Sequence, residues 1–236
     1  MMNQLEGLFL SAFPYTDNST IIHLFMKDYG RRTFIFKGLR KKNSPFIFQP
    51  MHFIEFQSTF KIEKSINSGT KQTLVFPCHQ ITSDIRKTSV ALFLTDILNN
   101  LLKEGDYSDE LYPFLKNSFL LFEIQEYNVN FHLLFLIHLL DFLGIGPKKN
   151  YSSTNTFFNI EKAMFTSKKE DFSLDFEDSL LFYKILGTTI DNETEINVSK
   201  SSRNKLLDMI FQYLEFHFHF DSKKISSHSI LKTIFS

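Results

Sequence analysis

Apolar residues recur every second position through residues 1–80 and every third or fourth position after that. The chain therefore reads as a β region followed by an α region. Residues 5–13 form a β-rich run that stops at Pro14, and residues 20–27 (TIIHLFMK) form a second. Asp28-Tyr29-Gly30 then predicts a turn into residues 31–37 (RRTFIFK), which together make a hairpin. In its second arm Phe34 and Phe36 share one face, while Thr33, Ile35 and Lys37 share the other. A basic loop over residues 38–44 leads to a strand predicted over 46–57, where Pro50 marks a bulge or a sheet edge. Runs at 61–66 and 74–76, with Asn67-Ser68-Gly69 as the turn between them, complete about five short strands. That number in this length suits a small barrel such as the OB-fold.

From Ile81 onward the spacing is helical. Asp84 is placed to cap a helix whose apolar positions run from Val90 to Leu102, with Gly105 just beyond its end. Ser108 or Asp109 starts a second helix, running to about Tyr127, with Pro113 near its first turn. Asn130 caps a third that stops at Gly144. Residues 146–172 form a looser stretch, followed by helices over 173–186, 199–216 and 226–235. The expected architecture is thus α+β and multi-domain: an OB-fold-like N-terminal barrel at 1–80, then an α-helical domain at 81–236.

Composition narrows the chemistry. A single cysteine, Cys78, excludes an internal disulfide framework and any zinc site built on cysteines, and suits a reduced, intracellular setting. The most apolar run, residues 131–143, contains His132, His138 and Asp141 and is too short to span a bilayer, so it reads as a core helix and no membrane is expected. The 29 Phe against no Trp fit an AT-rich coding bias as well as a special aromatic role. Net charge is zero, but it is unevenly spread. Residues 1–82 hold 10 Lys/Arg and 5 Asp/Glu, whereas the remainder holds 16 and 21. The β region is therefore the candidate for phosphate contact.

Within it lies a basic set, Lys27, Arg31, Arg32, Lys37, Arg40, Lys41 and Lys42, on the hairpin and the loop after it. Seven cations so placed can follow a phosphate backbone through counterion release; the plainer alternative is a solvated loop with charges guarding a sheet edge. Phe34, Phe36, Phe46, Phe48 and Phe53 are nearby stacking candidates, although a small barrel needs most of them inside. His217 and His219, with Asp221, invite a metal reading, but a helix end decorated with His explains them better. The sequence holds no phosphate-binding glycine loop and no GxSxG or HExxH pattern. Cys78 and His79 are adjacent in an extended segment and point apart, which suits them poorly to proton transfer. No catalytic residue, cofactor or metal is expected.

The order of short motifs resembles the RecO family of recombination mediators. Tyr15, the TIIHLFMK strand, Tyr29-Gly30, Lys37-Gly38-Leu39-Arg40-Lys41 and Gln49-Pro50 follow one another as in that family. Asn130-Phe131-His132-Leu133 leading to Leu143-Gly144-Ile145-Gly146-Pro147 resembles its long central helix and exit, with weaker echoes at Phe158-Asn159-Ile160-Glu161 and Ser229-Ile230-Leu231-Lys232. The resemblance implies a cytoplasmic, nucleoid-associated, non-enzymatic protein that anneals single-stranded DNA and assists recombinase loading. It also implies a RecR-like partner and the C-terminal tail of a single-strand binding protein, held in a groove of the helical domain. One departure stands out: many members carry four zinc-binding cysteines after the central helix, and residues 146–160 contain none. An OB-fold adaptor that binds protein without DNA is the alternative, and an enzyme on a helical scaffold ranks last.

Overall fold

The computed structural model of the chain describes residues 2–39, 47–190 and 197–234. Five strands, β1 (Asn3–Thr16), β2 (Ser19–Met26), β3 (Gly30–Lys37), β4 (Phe53–Ser58) and β5 (Ile66–Leu74), close into a barrel in the order β1-β2-β3-β5-β4. Only β3 and β5 run parallel. This is the OB-like barrel that the alternation predicts, and the helices follow it as expected. Leu5, Phe9, Ile22, Leu24, Phe34, Phe36, Ile54 and Phe56 fill its interior. Phe34 and Phe36 thus lie inside, and the odd-numbered residues of β3 lie outside, as the period of two requires.

Two details differ from the sequence expectation. Residues 49–51 turn rather than extend, so the fourth strand starts only at Phe53; Pro50 has no N–H to give a ladder. Phe46 lies outside the described residues. Asn67-Ser68-Gly69 lies inside β5 and is not a turn. The turn sits earlier and is closed from within the strand: Asn67 Oδ1 accepts from Lys61 N (2.9 Å), and its Nδ2 donates to Lys61 O (3.1 Å).

The chain divides into two compact units, Met1–Gln125 with Ile225–Ile234, and Glu126–Lys224. In the first, α1 (His79–Ser83), α2 (Ile85–Leu101), α3 (Leu111–Ile124) and α7 (Ser227–Ile234) accompany the barrel. Asp84 caps α2 as predicted, accepting from Arg86 N at 2.9 Å. The second predicted helix is shorter at both ends, with Ser108 Oγ accepting from Leu111 N at 3.3 Å. Lys87, only 1% exposed, lies against the end of α3. Its Nζ donates to the carbonyls of Phe122 (2.7 Å) and Gln125 (2.6 Å) and to Gln80 Oε1 (2.8 Å). The Glu123 carboxylate in turn accepts from Gln80 N (2.8 Å) and Ile81 N (2.9 Å) at the start of α1. Lysine and glutamate thus satisfy opposite helix ends across one buried junction.

His52 is buried beside β4, with Nδ1 2.7 Å from Ile47 O and Nε2 without a hydrogen-bond partner. Burial lowers its pKa, as it does for His23 on β2. The unfolded chain takes up protons near pH 6.5 while the folded one resists, so stability is full above that pH and falls as the pH drops through it. Urea unfolding will show a lower midpoint at about pH 5.5 than at about pH 7.5, and His52→Gln will shrink the difference.

The second unit holds α4 (Phe131–Phe142), β6 (Phe157–Asn159), β7 (Met164–Thr166), α5 (Phe176–Leu186) and α6 (Lys200–His217). The stretch expected to be loose contains the β6–β7 hairpin and is tied down by two asparagines. Asn150 donates to Phe165 O (2.9 Å) and accepts from Phe165 N (2.9 Å), filling the place of a paired strand residue. Asn159, buried at 1% exposure, donates to Asp171 O (2.9 Å) and accepts from Lys162 N (2.8 Å). Phe158, Phe165, Phe182 and Tyr213 cluster beneath.

Candidate nucleic-acid interface

The outer face of the β1–β2–β3–β5 sheet carries accessible apolar and cationic groups together. Strand register sets its composition. Phe13 pairs with Ile21, Ile21 with Ile35, and Ile35 with Ser68, which places these four side by side across four strands. Since Ile22, Leu24, Phe34 and Phe36 point inward, this row points outward. Phe13 is 49% exposed and Ile66, beside Thr33, is 45% exposed; Ile21 and Ile35 are half-buried. Lys37 is exposed at the end of β3, and Lys71 is exposed two residues beyond the Phe36–Gly69 pair.

One end of the same face is closed by the end of α2. Arg31 Nη1 donates to the carbonyls of Asn99 (2.6 Å) and Leu102 (2.7 Å), and Nη2 donates to Asn99 Oδ1 (3.0 Å). Burial weighs against its charge, while the Glu104 and Asp106 carboxylates favour it. Thr33 Oγ1 donates to Glu104 Oε1 at 3.2 Å, so His23 Nδ1–H donates to Thr33 Oγ1 at 3.0 Å. Desolvation first, then the Arg31 charge, lower the pKa of His23, against the opposing pull of the Glu104 carboxylate. The ring of Phe13 meets that of His23 edge-on, with centroids 5.6 Å apart. Gly30 adopts a φ of +63°, and a Cβ there would lie 1.7 Å from Asp106 O, so the chain after α2 rests directly on the hairpin turn. That chain, residues 103–110, carries Glu104, Asp106, Asp109 and Glu110 against one Lys.

The basic set therefore does not converge on one patch. Lys27 and Lys37 are exposed at opposite ends of the β2–β3 hairpin, about 20 Å apart at the rise of a strand. Arg31 is committed to the helix end, and Arg32, opposite Leu24, turns toward the barrel interior with Nη1 on Arg31 O (3.2 Å). Arg40, Lys41 and Lys42 lie outside the described residues. The stacking candidates Phe34, Phe36 and Phe53 are core, and Phe48 packs against it. The sequence reading did not single out Phe13 or His23 as site residues; the only signal for Phe13 was a strand running up to a proline. Elsewhere the Cys78 thiol is buried and pushed up to about 12 by burial and the Glu123 charge, so it stays protonated at neutral pH. His217 Nε2 lies 2.8 Å from Ile160 O, and its ring lies 4.4 Å from Tyr213.

Residues 1–77 match the family model described as Recombination protein O N terminal, and residues 82–224 match Recombination protein O C terminal. The chain belongs to the RecO family. Proteins named DNA repair protein RecO resemble it over their full length and its own: 23% identity in Flavobacterium psychrophilum, 25% in Azobacteroides pseudotrichonymphae and 26% in Phocaeicola vulgatus. Residues 146–160 offer no cysteine, and among the described residues no group of three or more His, Cys, Asp or Glu is placed to hold a metal. The four-cysteine zinc site does not fit here. Among the described residues no helix of this RecO protein is long and apolar enough to cross a membrane.

Proposed function

We propose that the protein binds and anneals single-stranded DNA on the outer face of its barrel and acts as a recombination mediator without catalysing a reaction. The half-exposed row of Phe13, Ile21 and Ile35 with Lys37 at its edge, in a chain of the RecO family, carries this reading. Apolar groups on an OB-like sheet take bases, and cations beside them take phosphates. Arg40, Lys41 and Lys42 come within five residues of Lys37 in the sequence and add three cations for phosphate contact. The barrel at 1–80 supplies DNA contact, and the helical domain at 81–236 receives a RecR-like partner and the C-terminal tail of a single-strand binding protein. Work of this kind belongs in the cytoplasm, at the nucleoid.

Changing Arg40, Lys41 and Lys42 together to Glu will weaken single-strand binding by roughly two to three orders of magnitude at low salt. The plot of log affinity against log salt will become shallower, since about three phosphate contacts are lost. Fluorescence anisotropy of a labelled strand measures both. An unchanged salt slope removes these residues from the site.

The adaptor reading has one observation in its favour. Of the four described cations in the basic set, Arg31 is bonded to the end of α2 and Arg32, beside Leu24, is only partly exposed. Capture of partner proteins with no strand binding even at low salt would decide for it.

A further inference from the structure

We infer that Phe13 is a base-stacking residue, held ready by His23, and that it makes the barrel select unpaired bases over duplex. The inference rests on the single-strand reading above and deepens it. Most aromatic side chains of the barrel are consumed by its interior; Phe13 and Tyr15 are the large ones left open on β1, at 49% and 62% exposure. They differ in support. Tyr15 falls at a register shift between Pro14 and Thr16, whereas Phe13 sits in regular pairing with Ile21.

The support behind Phe13 is a chain of fixed groups. Glu104 Oε1 accepts from Thr33 Oγ1 (3.2 Å), Thr33 Oγ1 accepts from His23 Nδ1–H (3.0 Å), and the His23 ring meets Phe13 edge-on at 5.6 Å. This order fixes the rotation of the imidazole and with it one side of the Phe13 ring. A ring already held in place loses little freedom when a base lands on it, which is where much of the cost of binding ordinarily falls. The rest of the row, Ile21 and Ile35, is apolar, and exposed Lys37 lies two residues beyond Ile35 on the same face of β3, with exposed Lys71 two residues beyond Gly69 on β5. The occupant is therefore a nucleic-acid strand with its bases toward the sheet and its phosphates toward the lysines. Bases in a duplex are stacked on one another and show only their edges in the grooves, so they have no face to offer Phe13.

The chain contains no Trp, which supplies a direct test. Phe13→Trp places one indole at the platform. Its fluorescence will be quenched on titration with a mixed-sequence single strand and unaffected by the same sequence as duplex. In parallel, Phe13→Ala will weaken single-strand affinity roughly tenfold, the usual worth of one stacked base. The salt slope will stay that of the parent, because no phosphate contact is lost. Duplex binding will be unchanged. Because the site is half-exposed, neither variant disturbs the core, and unfolding midpoints will confirm it. If the parent binds single strands while Phe13→Ala binds equally well, or if the indole is not quenched, stacking at Phe13 is overturned and the single-strand reading stands. If the parent binds no single strand at any salt, both fall together.

Discussion

Lys87→Ala will lower the stability of the protein by about 3–5 kcal/mol, a loss read as a drop in the urea midpoint. The reason lies in what the ammonium leaves behind. With Lys87 gone, the buried carbonyls of Phe122 and Glu123 and the partly buried carbonyl of Gln125 at the end of α3 lose their donor. Each buried carbonyl left unpaired costs about 1–3 kcal/mol. The lysine stem also fills space, so Lys87→Met separates the two effects: it keeps the volume and removes the donors. Most of the loss will persist in Lys87→Met if hydrogen bonding dominates. A methionine variant as stable as the parent would show that packing alone was at stake.

Gly69→Ala will cost about 1–3 kcal/mol, although the change adds a single methyl group. A Cβ at that position would lie 2.2 Å from Cζ and 2.3 Å from Cε1 of Phe36, whose ring is fully buried in the barrel. Phe36 and Gly69 are partners in the parallel β3–β5 pair that closes the sheet, so the ring has no route by which to withdraw. Phe36→Leu shortens the obstacle. The double variant will therefore be less destabilised than the sum of the two single changes, a coupling that denaturant curves of the four proteins measure. Strict additivity would show that the glycine matters only through backbone freedom.

These two positions also show why part of the fold was legible in the sequence and part was not. The hairpin of β2 and β3 follows from alternation alone, and the inward aim of Phe34 and Phe36 follows with it. Asn67-Ser68-Gly69 misleads because its composition is that of a turn. Asn67 does close a turn, but with its side chain on Lys61, and Gly69 is small because a ring lies over it. Neither reason is local. The same holds at the site. Arg31 reads as a phosphate ligand until the end of α2, 68 residues further on, is brought beside it. Phe13 goes unremarked at the end of its β-rich run because periodicity gives the face of a residue, not how far it is covered. The β6–β7 hairpin has strands of three residues, too short for any periodic signal, and is set by amides rather than by an apolar pattern.

The amide ties around that hairpin give this part of the chain an independence that thiolate ligands would deny it. A segment folded around zinc takes shape only once its thiols have lost their protons and metal has been delivered, so acid, chelators and oxidants all dissolve it. Asn150 and Asn159 neither titrate, bind metal nor oxidise, and their shortest hydrogen bonds are to main-chain groups that every copy of the chain carries from synthesis. The region can reach its final form whatever the zinc supply or oxidative state of the cell, conditions that accompany the DNA damage a repair protein is made to meet.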